Sequence, residues 1–398
     1  MDLLKVLSIT LLLVFYPLGE ITRITIGDAA VTFIDIAVGS IVIIWVFYKA
    51  LNKQKIRGQL LKPILIFISI LILSLIVNAN KLSISQILIS ASYILRWVVY
   101  VSMYFVIKDL DLNFKRGLPY FMLTGGALII IGGIIQYFLY PDLRNLYYLG
   151  WDEHLYRMFT WTFLDPNFAG AFFVLYFLFV FEFFGNLKKK TNYKYILIGI
   201  LALSLISIIL TFSRSAYLMF FVGISSLLVI KKQIKLLIII VMISALGFLV
   251  VSKATLKSEG TNLLRSASGE ARLDSMNNAI TIFKDKPILG VGFNSYRYVQ
   301  REYGFVKEDK MLVHSAAGTD NSFLFILATS GLIGLTAFLY FLYKVVSLSS
   351  SKLKKNYFSL VLFASIISLA INSLFINSLF FPQIMLWIWI LAGLTEST

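Results

Sequence analysis

Apolar residues fill this chain in runs of about 16 to 24, separated by short charged links. An α-helix rises 1.5 Å per residue and needs about 20 residues to cross the ~30 Å hydrocarbon layer, so runs of this length predict membrane spans. Twelve are expected: Leu3 to Leu18, Ala29 to Leu51, Leu61 to Val77, Ile87 to Val106, Leu118 to Phe138, Phe168 to Phe184, Tyr195 to Leu210, Ser215 to Ile230, Leu236 to Val251, Phe323 to Val346, Phe358 to Phe375 and Leu379 to Leu394. The first has the look of a signal peptide, but Gly19-Glu20-Ile21-Thr22-Arg23 after it lacks a small-x-small cleavage site, so it is expected to be retained. The expected fold class is all-α. It is a single polytopic membrane domain over 1–398, with an outer loop at 139–167 and one large extracytoplasmic loop at 252–320 containing short helices.

Orientation follows from the links, because Lys and Arg accumulate on the cytoplasmic side. With the N-terminus inside, Lys49 to Lys62, Lys108 to Arg116, Lys188 to Lys194, Lys231 to Lys235 and Lys344 to Lys355 all fall in cytoplasmic links. Alternate links are therefore basic, which places both termini in the cytoplasm and makes the net charge of +16 a matter of topology rather than of nucleic-acid binding. The chain has no cysteine, which excludes disulfides and thiolate metal sites. Its two histidines, His154 and His314, do not suffice for a zinc site, and no metal or other cofactor is expected.

The large loop carries nearly balanced charge, ten Lys and Arg against eight Asp and Glu between 252 and 320, so it is no blanket basic patch. Leu273, Met276, Ile280 and Phe283 recur at helical spacing, predicting an amphipathic helix from Glu270 to Asp285 with Ser268 as its cap. Lys286-Pro287 ends it and Gly290-Val291-Gly292 turns the chain tightly. The other outer loop is aromatic, with Tyr147, Tyr148, Trp151, Tyr156 and Trp161. Such rings either stack on sugars or form the interfacial belt. Within the bilayer, Asp35 and Arg96 sit at similar depth as a structural pair, and Glu182 is expected to reach cytoplasmic water.

Four segments in order carry a resemblance. They are Arg157-Met158-Phe159-Thr160-Trp161-Thr162-Phe163-Leu164-Asp165-Pro166-Asn167, then Thr211-Phe212-Ser213-Arg214-Ser215, then Arg272 ahead of Lys286-Pro287-Ile288-Leu289-Gly290-Val291-Gly292, and last Asp320-Asn321-Ser322 running to Gly331-Leu332-Ile333-Gly334. Over about Arg157 to Gly334 the chain resembles the O-antigen ligase and O-antigen polymerase (Wzy-type) superfamily. That resemblance implies a metal-independent membrane glycosyltransferase. It would move a glycan from a polyprenyl diphosphate, usually undecaprenyl, to a hydroxyl of an acceptor glycan or lipid outside the cytoplasmic membrane. Ligases of the family have His-Asn where this chain has Asp320-Asn321, and the Asp-Asn variant looks polymerase-like.

Residue types fit that chemistry. A departing diphosphate gains negative charge, and arginine meets it with a planar fork of donors that stays charged when partly desolvated. Arg214 sits at the turn of a hairpin with about 18 residues per arm, or about 28 Å of rise, which puts it near the outer hydrocarbon edge. Its ordinary alternative is snorkelling to lipid headgroups. Arg272 is the second cation of the family pattern, with pairing to Asp274 or Glu270 as its alternative. Arg157, Arg297 and Arg301 are further candidates for diphosphate or sugar. Asn167 is another, although Asp165-Pro166-Asn167 also reads as a helix start. The acceptor's proton needs a base. Asp320 is one candidate, although it also reads as the cap of the next span, and His314 is the other because imidazole titrates near neutral pH. Gly290 and Gly292 read as turn formers. A rival class, a lipid-linked oligosaccharide flippase or transporter, would show repeated halves and polar residues through the midplane, whereas the sequence has no repeat and few midplane charges.

Overall fold

The computed structural model describes residues 2–26, 29–142, 155–187, 193–242, 258–305, 318–353 and 356–397. His314, the aromatics Tyr147, Tyr148 and Trp151, and residues 243–251 of the ninth expected span lie outside the described residues. Among the described residues six helices are long and apolar enough to cross a membrane: Asp2–Thr22, Phe33–Leu51, Ile84–Asp109, Leu112–Leu139, Pro166–Gly185 and Ser322–Ser350. Shorter apolar helices, Leu61–Val77, Lys194–Leu210, Arg214–Ile230 and Tyr357–Asn372, pack among them, followed by Pro382–Ser397. Each overlaps an expected span, and residues 234–242 are helical where the ninth begins. By length and composition the chain is an all-helical, multi-pass membrane protein.

The second expected span starts later than its apolar run. Ile24–Ile26 and Ala29–Val31 pair as a small antiparallel hairpin, Ile24 opposite Val31, and the helix begins only at Phe33. Thr32 and Asp35 form a capping box there, each side chain accepting from the other's backbone N–H, so local capping rather than hydropathy sets the boundary. The same Asp35 carboxylate takes Arg96 at 3.0 Å and the Tyr100 hydroxyl at 2.9 Å, the pairing expected from depth.

Ion pairs gather the basic links at one end of the bundle. Lys5 meets Asp111 at 2.7 Å, Lys49 meets Asp109 at 2.8 Å and Lys108 meets Glu396 at 2.9 Å. Lys352 donates to the Thr395 and Glu396 carbonyls beside them. Glu182 does not reach water as expected. It is fully buried and held by Lys231 at 2.9 Å, because a carboxylate facing neighbouring helices needs a cation to compensate its lost hydration.

At the opposite end the tenth expected span departs from its sequence reading. It is not one continuous helix: Gly331, at φ 66 and ψ −167, breaks Ser322–Ser350 into two pieces. That conformation belongs essentially to glycine. The break frees the carbonyls of Ala328 and Thr329 and the N–H groups of Leu332 and Ile333, which would otherwise bond to each other in regular i to i−4 fashion. Residues 287–292 satisfy all four. Val291 and Gly292 donate to Ala328 and Thr329 at 3.1 and 3.0 Å, while Leu332 and Ile333 donate to Pro287 and Ile288 at 2.8 and 3.3 Å. Ser74 adds its hydroxyl to the carbonyls of Leu289 and Thr329, and Asn78 donates to that of Gly290. A Cβ on Gly290, itself at φ 66, would lie 2.4 Å from the Thr329 carbonyl carbon, so this glycine shapes the turn, as expected from its spacing.

Alanine at position 331 meets both a forbidden φ/ψ and the Ile288 carbonyl, 2.2 Å from the new Cβ. Gly331→Ala should therefore cost at least about 1–3 kcal/mol. A thermal melt of the purified protein in detergent checks this, with Gly199→Ala, whose Cβ meets nothing within 4 Å, as the silent control.

Candidate active site

The motif segments meet at the end where the helix is broken. Pro166–Gly185, Arg214–Ile230, Ser322–Ser350 and Pro382–Ser397 all begin there and pack around the closing turns of Tyr357–Asn372. Each start brings the positive end of a helix dipole, and the sequence supplies the caps. Asp165 accepts from the N–H groups of Asn167 and Phe168, with Pro166 in the first turn; Ser213 accepts from Ala216. At the Ser322 helix the cap is Asn321, whose side-chain oxygen accepts from Phe323 and Leu324. The expectation that Asp320 caps this helix is corrected by one residue, since an asparagine oxygen one position on reaches the same amides. The Asp320 carboxylate is therefore not the group that ties down the helix start.

Arg157 forms the foundation of the Arg214 turn. It is fully buried, its Nε donating to the Thr211 carbonyl at 2.7 Å and its Nη2 to the Phe212 carbonyl at 3.4 Å and the Asn167 side-chain oxygen at 3.3 Å. Phe212 sits at φ 47, left-handed for a bulky residue, and such a backbone persists only when its surroundings hold it. The Asn167 oxygen also receives the Ser213 hydroxyl at 2.9 Å. These two sequence candidates thus lie beneath the turn from which Arg214 projects, on protein partners.

Arg214 reaches the loop helix, Ala267–Asp285. Its Nη1 donates to the Arg265 carbonyl at 3.1 Å and its Nη2 to the Ser268 hydroxyl at 2.8 Å. Ser268, expected as the cap, instead sits inside the helix, because the helix starts at Ala267 with Ser266 in the capping position. Its inward stripe is also one residue out of phase with the apolar spacing: Ser268, Ala279 and Ile282 are buried, whereas Leu273 is 59% exposed. The start of the stripe meets the motif cluster through Ser268, while Ala279 and Ile282 further along join the hydrophobic core.

That phase places Arg272 one turn after Ser268 and one turn before Ser275 on the same face, with neighbouring Cβ atoms about 5–6 Å apart. Ser275 in turn accepts the backbone N–H of Asp320 at 3.2 Å. One helix face therefore lines up the Arg214 contact, Arg272 and the Asp320 contact. Arg272 makes no hydrogen bond or ion pair with Asp274 or Glu270 among the described residues. Arg265, which the sequence reading passed over, is buried with its Nη1 on the carbonyls of Gly260 and Asn262, and lies with Arg157 within electrostatic reach of Tyr217. Its position inside a polar loop concealed it, since nothing in the spacing separates it from solvated neighbours.

The remaining candidates lie to one side. Arg297 stands 5.5 Å over the Tyr93 ring, which Arg96 also faces at 5.0 Å, and Arg301 is exposed. Tyr296 is buried next to them; burial first, and then the charge of Asp320, push its hydroxyl well above the usual tyrosine value. At the far end of the loop helix, the Tyr303 hydroxyl donates to Asp285, and this bond raises Tyr303 to about 12. Among the described residues no three His, Cys, Asp or Glu side chains are gathered to hold a metal.

Fold and site together define a polytopic helical membrane protein with an arginine-lined, dipole-positive cluster at one end. Residues 199–339 match the O-antigen ligase family, which supports the O-antigen ligase and polymerase superfamily for this chain. The match spans the second, third and fourth motif segments. No curated protein matches the chain.

Arg157→Met leaves two backbone carbonyls without their donor, so it should lower stability by at least about 2 kcal/mol in a detergent melt, and Arg157→Lys should not restore it because an ammonium lacks the fork. The Tyr303 bond has a pH signature. A raised folded-state value means that its stabilisation is complete below the ordinary tyrosine value near 10 and is lost as pH climbs through about 12. In ultraviolet titration, Asp285→Asn should move one tyrosine out of the late-ionising fraction and back toward 10, leaving the buried late-ionising tyrosines such as Tyr296 where they are.

Proposed function

We propose that this protein is a glycosyltransferase that uses a polyprenyl diphosphate-linked oligosaccharide at the extracytoplasmic face of the cytoplasmic membrane. The observation that carries the reading is the single face of the loop helix on which the Arg214 contact, Arg272 and the Asp320 contact follow one another. Arg214 and Arg272 grip the donor diphosphate, aided by the positive ends of the helices that start beside them. The acceptor hydroxyl oxygen attacks the anomeric carbon, and the bond from that carbon to the phosphate oxygen breaks with its electron pair leaving on the diphosphate. The hydroxyl proton passes to Asp320 or His314. Guanidinium groups aimed at the oxygen that gains charge lower the barrier, because their attraction grows as the bond breaks.

Arg157 and Asn167 serve this step by holding the Arg214 turn, and Arg297 and Arg301 flank the side toward the glycan. The reaction as proposed needs no metal, a point that rests on the resemblance. Both termini lie in the cytoplasm in this reading, since the basic links and the ion-paired end of the bundle coincide. Asp320-Asn321 favours polymerisation of lipid-linked repeat units over ligation to a lipid or other acceptor. A flippase is the rival class, and the gathering of polar chemistry at one end of the bundle rather than along its middle speaks for transfer.

The test is a purified protein supplied with labelled lipid-linked oligosaccharide. Glycan lengthening with release of polyprenyl diphosphate is expected, whereas movement between leaflets alone would support transport. Arg214→Ala and Arg272→Ala should each reduce release by roughly 10²- to 10³-fold while the protein still inserts. Full activity in both would refute the clamp.

A further inference from the structure

The stretch from Ser258 to Arg265 belongs to none of the four motif segments, yet it touches the Arg214 turn and its foundation. The Ser258 hydroxyl donates to the Leu155 carbonyl at 3.0 Å, two residues before Arg157, and at the other end the Arg265 carbonyl accepts Arg214 Nη1 at 3.1 Å. Between those contacts the stretch closes on itself. Thr261 donates to the Ser258 carbonyl through both its N–H and its hydroxyl, at 3.2 and 2.8 Å, and the Leu264 N–H donates to the Asn262 side-chain oxygen at 2.9 Å. Arg265 folds back across it, Nη1 donating to the Gly260 carbonyl at 3.0 Å and to the Asn262 carbonyl at 2.9 Å.

Closing a turn this way sacrifices the hydration of a charge. Arg265 is only 4% exposed, whereas Leu264 beside it is 73% exposed, so a solvent-facing position for an ordinary surface arginine lay one residue away. What the buried side chain secures is the direction of its own carbonyl. That carbonyl receives Arg214 Nη1, and the Ser268 hydroxyl three residues on receives Arg214 Nη2 at 2.8 Å. Two acceptors on two nitrogens fix the plane of a guanidinium, which a single acceptor leaves free to turn. The plane matters because a fork gives paired bonds to phosphate oxygens only when it faces them, and a misplacement of about 1 Å in a reacting site can cost about 10²-fold in rate. Arg157 holds the backbone of the Arg214 turn, and Arg265 holds what the head of Arg214 rests on. Both lie within electrostatic reach of Tyr217, one turn along the helix that Arg214 begins.

We propose that Arg265 is a positioning residue for the transfer step: by bracing the turn from Ser258 to Arg265 it aims the Arg214 guanidinium at the donor diphosphate, without touching the substrate itself. The assignment rests on the transferase reading above, in which Arg214 is the diphosphate ligand. It also separates two kinds of buried arginine. The bonds of Arg157 to Thr211 and Phe212 leave from two nitrogens of its fork, whereas those of Arg265 to Gly260 and Asn262 leave from one, so an ammonium has the donors to replace them at position 265.

The native chain has no cysteine, so Ser268→Cys puts a single thiol where Arg214 Nη2 now meets the hydroxyl. A cation at that distance lowers a thiol's pKa by about one pH unit or more, and ¹³C NMR of the one labelled cysteine follows its ionisation in the full-length protein in nanodiscs. In this background Arg265→Met should return the thiol toward its ordinary value by about one pH unit, as Arg214→Ala does, while Arg265→Lys should keep it low. Added to Arg214→Ala, Arg265→Met should change nothing further. With Ser268 restored, release of polyprenyl diphosphate from labelled lipid-linked oligosaccharide should lose roughly ten- to a hundredfold in kcat in Arg265→Met, with little change in KM, and recover to within about threefold in Arg265→Lys. A thiol that stays low in Arg265→Met overturns the assignment. So does a further rise on top of Arg214→Ala, which would mean that Arg265 acts through its own charge, and so does a lowered melting temperature with release per folded protein unchanged. Should Arg265→Met not fold, Arg265→Gln, neutral and shorter, is held to the same outcomes. Release by the wild-type protein without the thiol shifts removes the brace and keeps the transferase, while thiol shifts without any release keep the brace on Arg214 and remove the transferase.

Discussion

A helix broken at Gly331 leaves four backbone groups that no water at membrane depth would satisfy, and the rest of the polar end depends on how they are paired. In hydrocarbon an unpaired amide or carbonyl costs several kcal/mol, so irregular backbone survives there only when another segment supplies its bonds. The stretch from Pro287 to Gly292 does so with matching donors and acceptors, one pair for each rung removed. Because that stretch follows directly on the loop helix, docking it fixes one end of the helix over the bundle. Ser275 with the Asp320 backbone, and Ser268 with Arg214, hold the middle and the beginning. The third and fourth motif segments are thus two halves of one backbone joint.

Charge is handled differently at the two ends of the molecule. At the Lys5 end, acids and bases neutralise one another across links, and Glu182 is buried only because Lys231 follows it. At the Arg214 end, positive charge accumulates: four helices start there, with Arg157 bonded to Asn167 in the first turn of one and Arg214 beginning another. The Asp165 carboxylate accepts amides at one helix start, and Asn321 does that work where the sequence suggested Asp320. Arg157 shows how one residue type divides its labour. Deep in the protein its fork binds carbonyls of a strained turn, whereas Arg214, two residues after Phe212, extends from that turn toward the loop helix. Distance along the chain does not separate these roles; burial does.

Hydropathy alone was enough to specify the helical membrane architecture, because a bilayer filters segments by length and polarity one at a time, with little regard to neighbours. The start at Asp165-Pro166 was legible for a similar reason, since a cap is a contact between residues two or three apart. The pairing of Asp35 with Arg96 could be read from depth, because an isolated charge in hydrocarbon has few other fates. What the sequence could not decide was phase and partnership. Whether Ser268 caps a helix or receives Arg214, whether Leu273 or Ala279 faces inward, and whether Asp320 or Asn321 takes the helix start are questions of one residue's rotation, about 100° on a helix. Only the surface opposite answers them. The break at Gly331 belongs to the same class: its glycine, one of 24, is tolerable inside a span only because a segment some 40 residues earlier in the chain arrives to complete its hydrogen bonds.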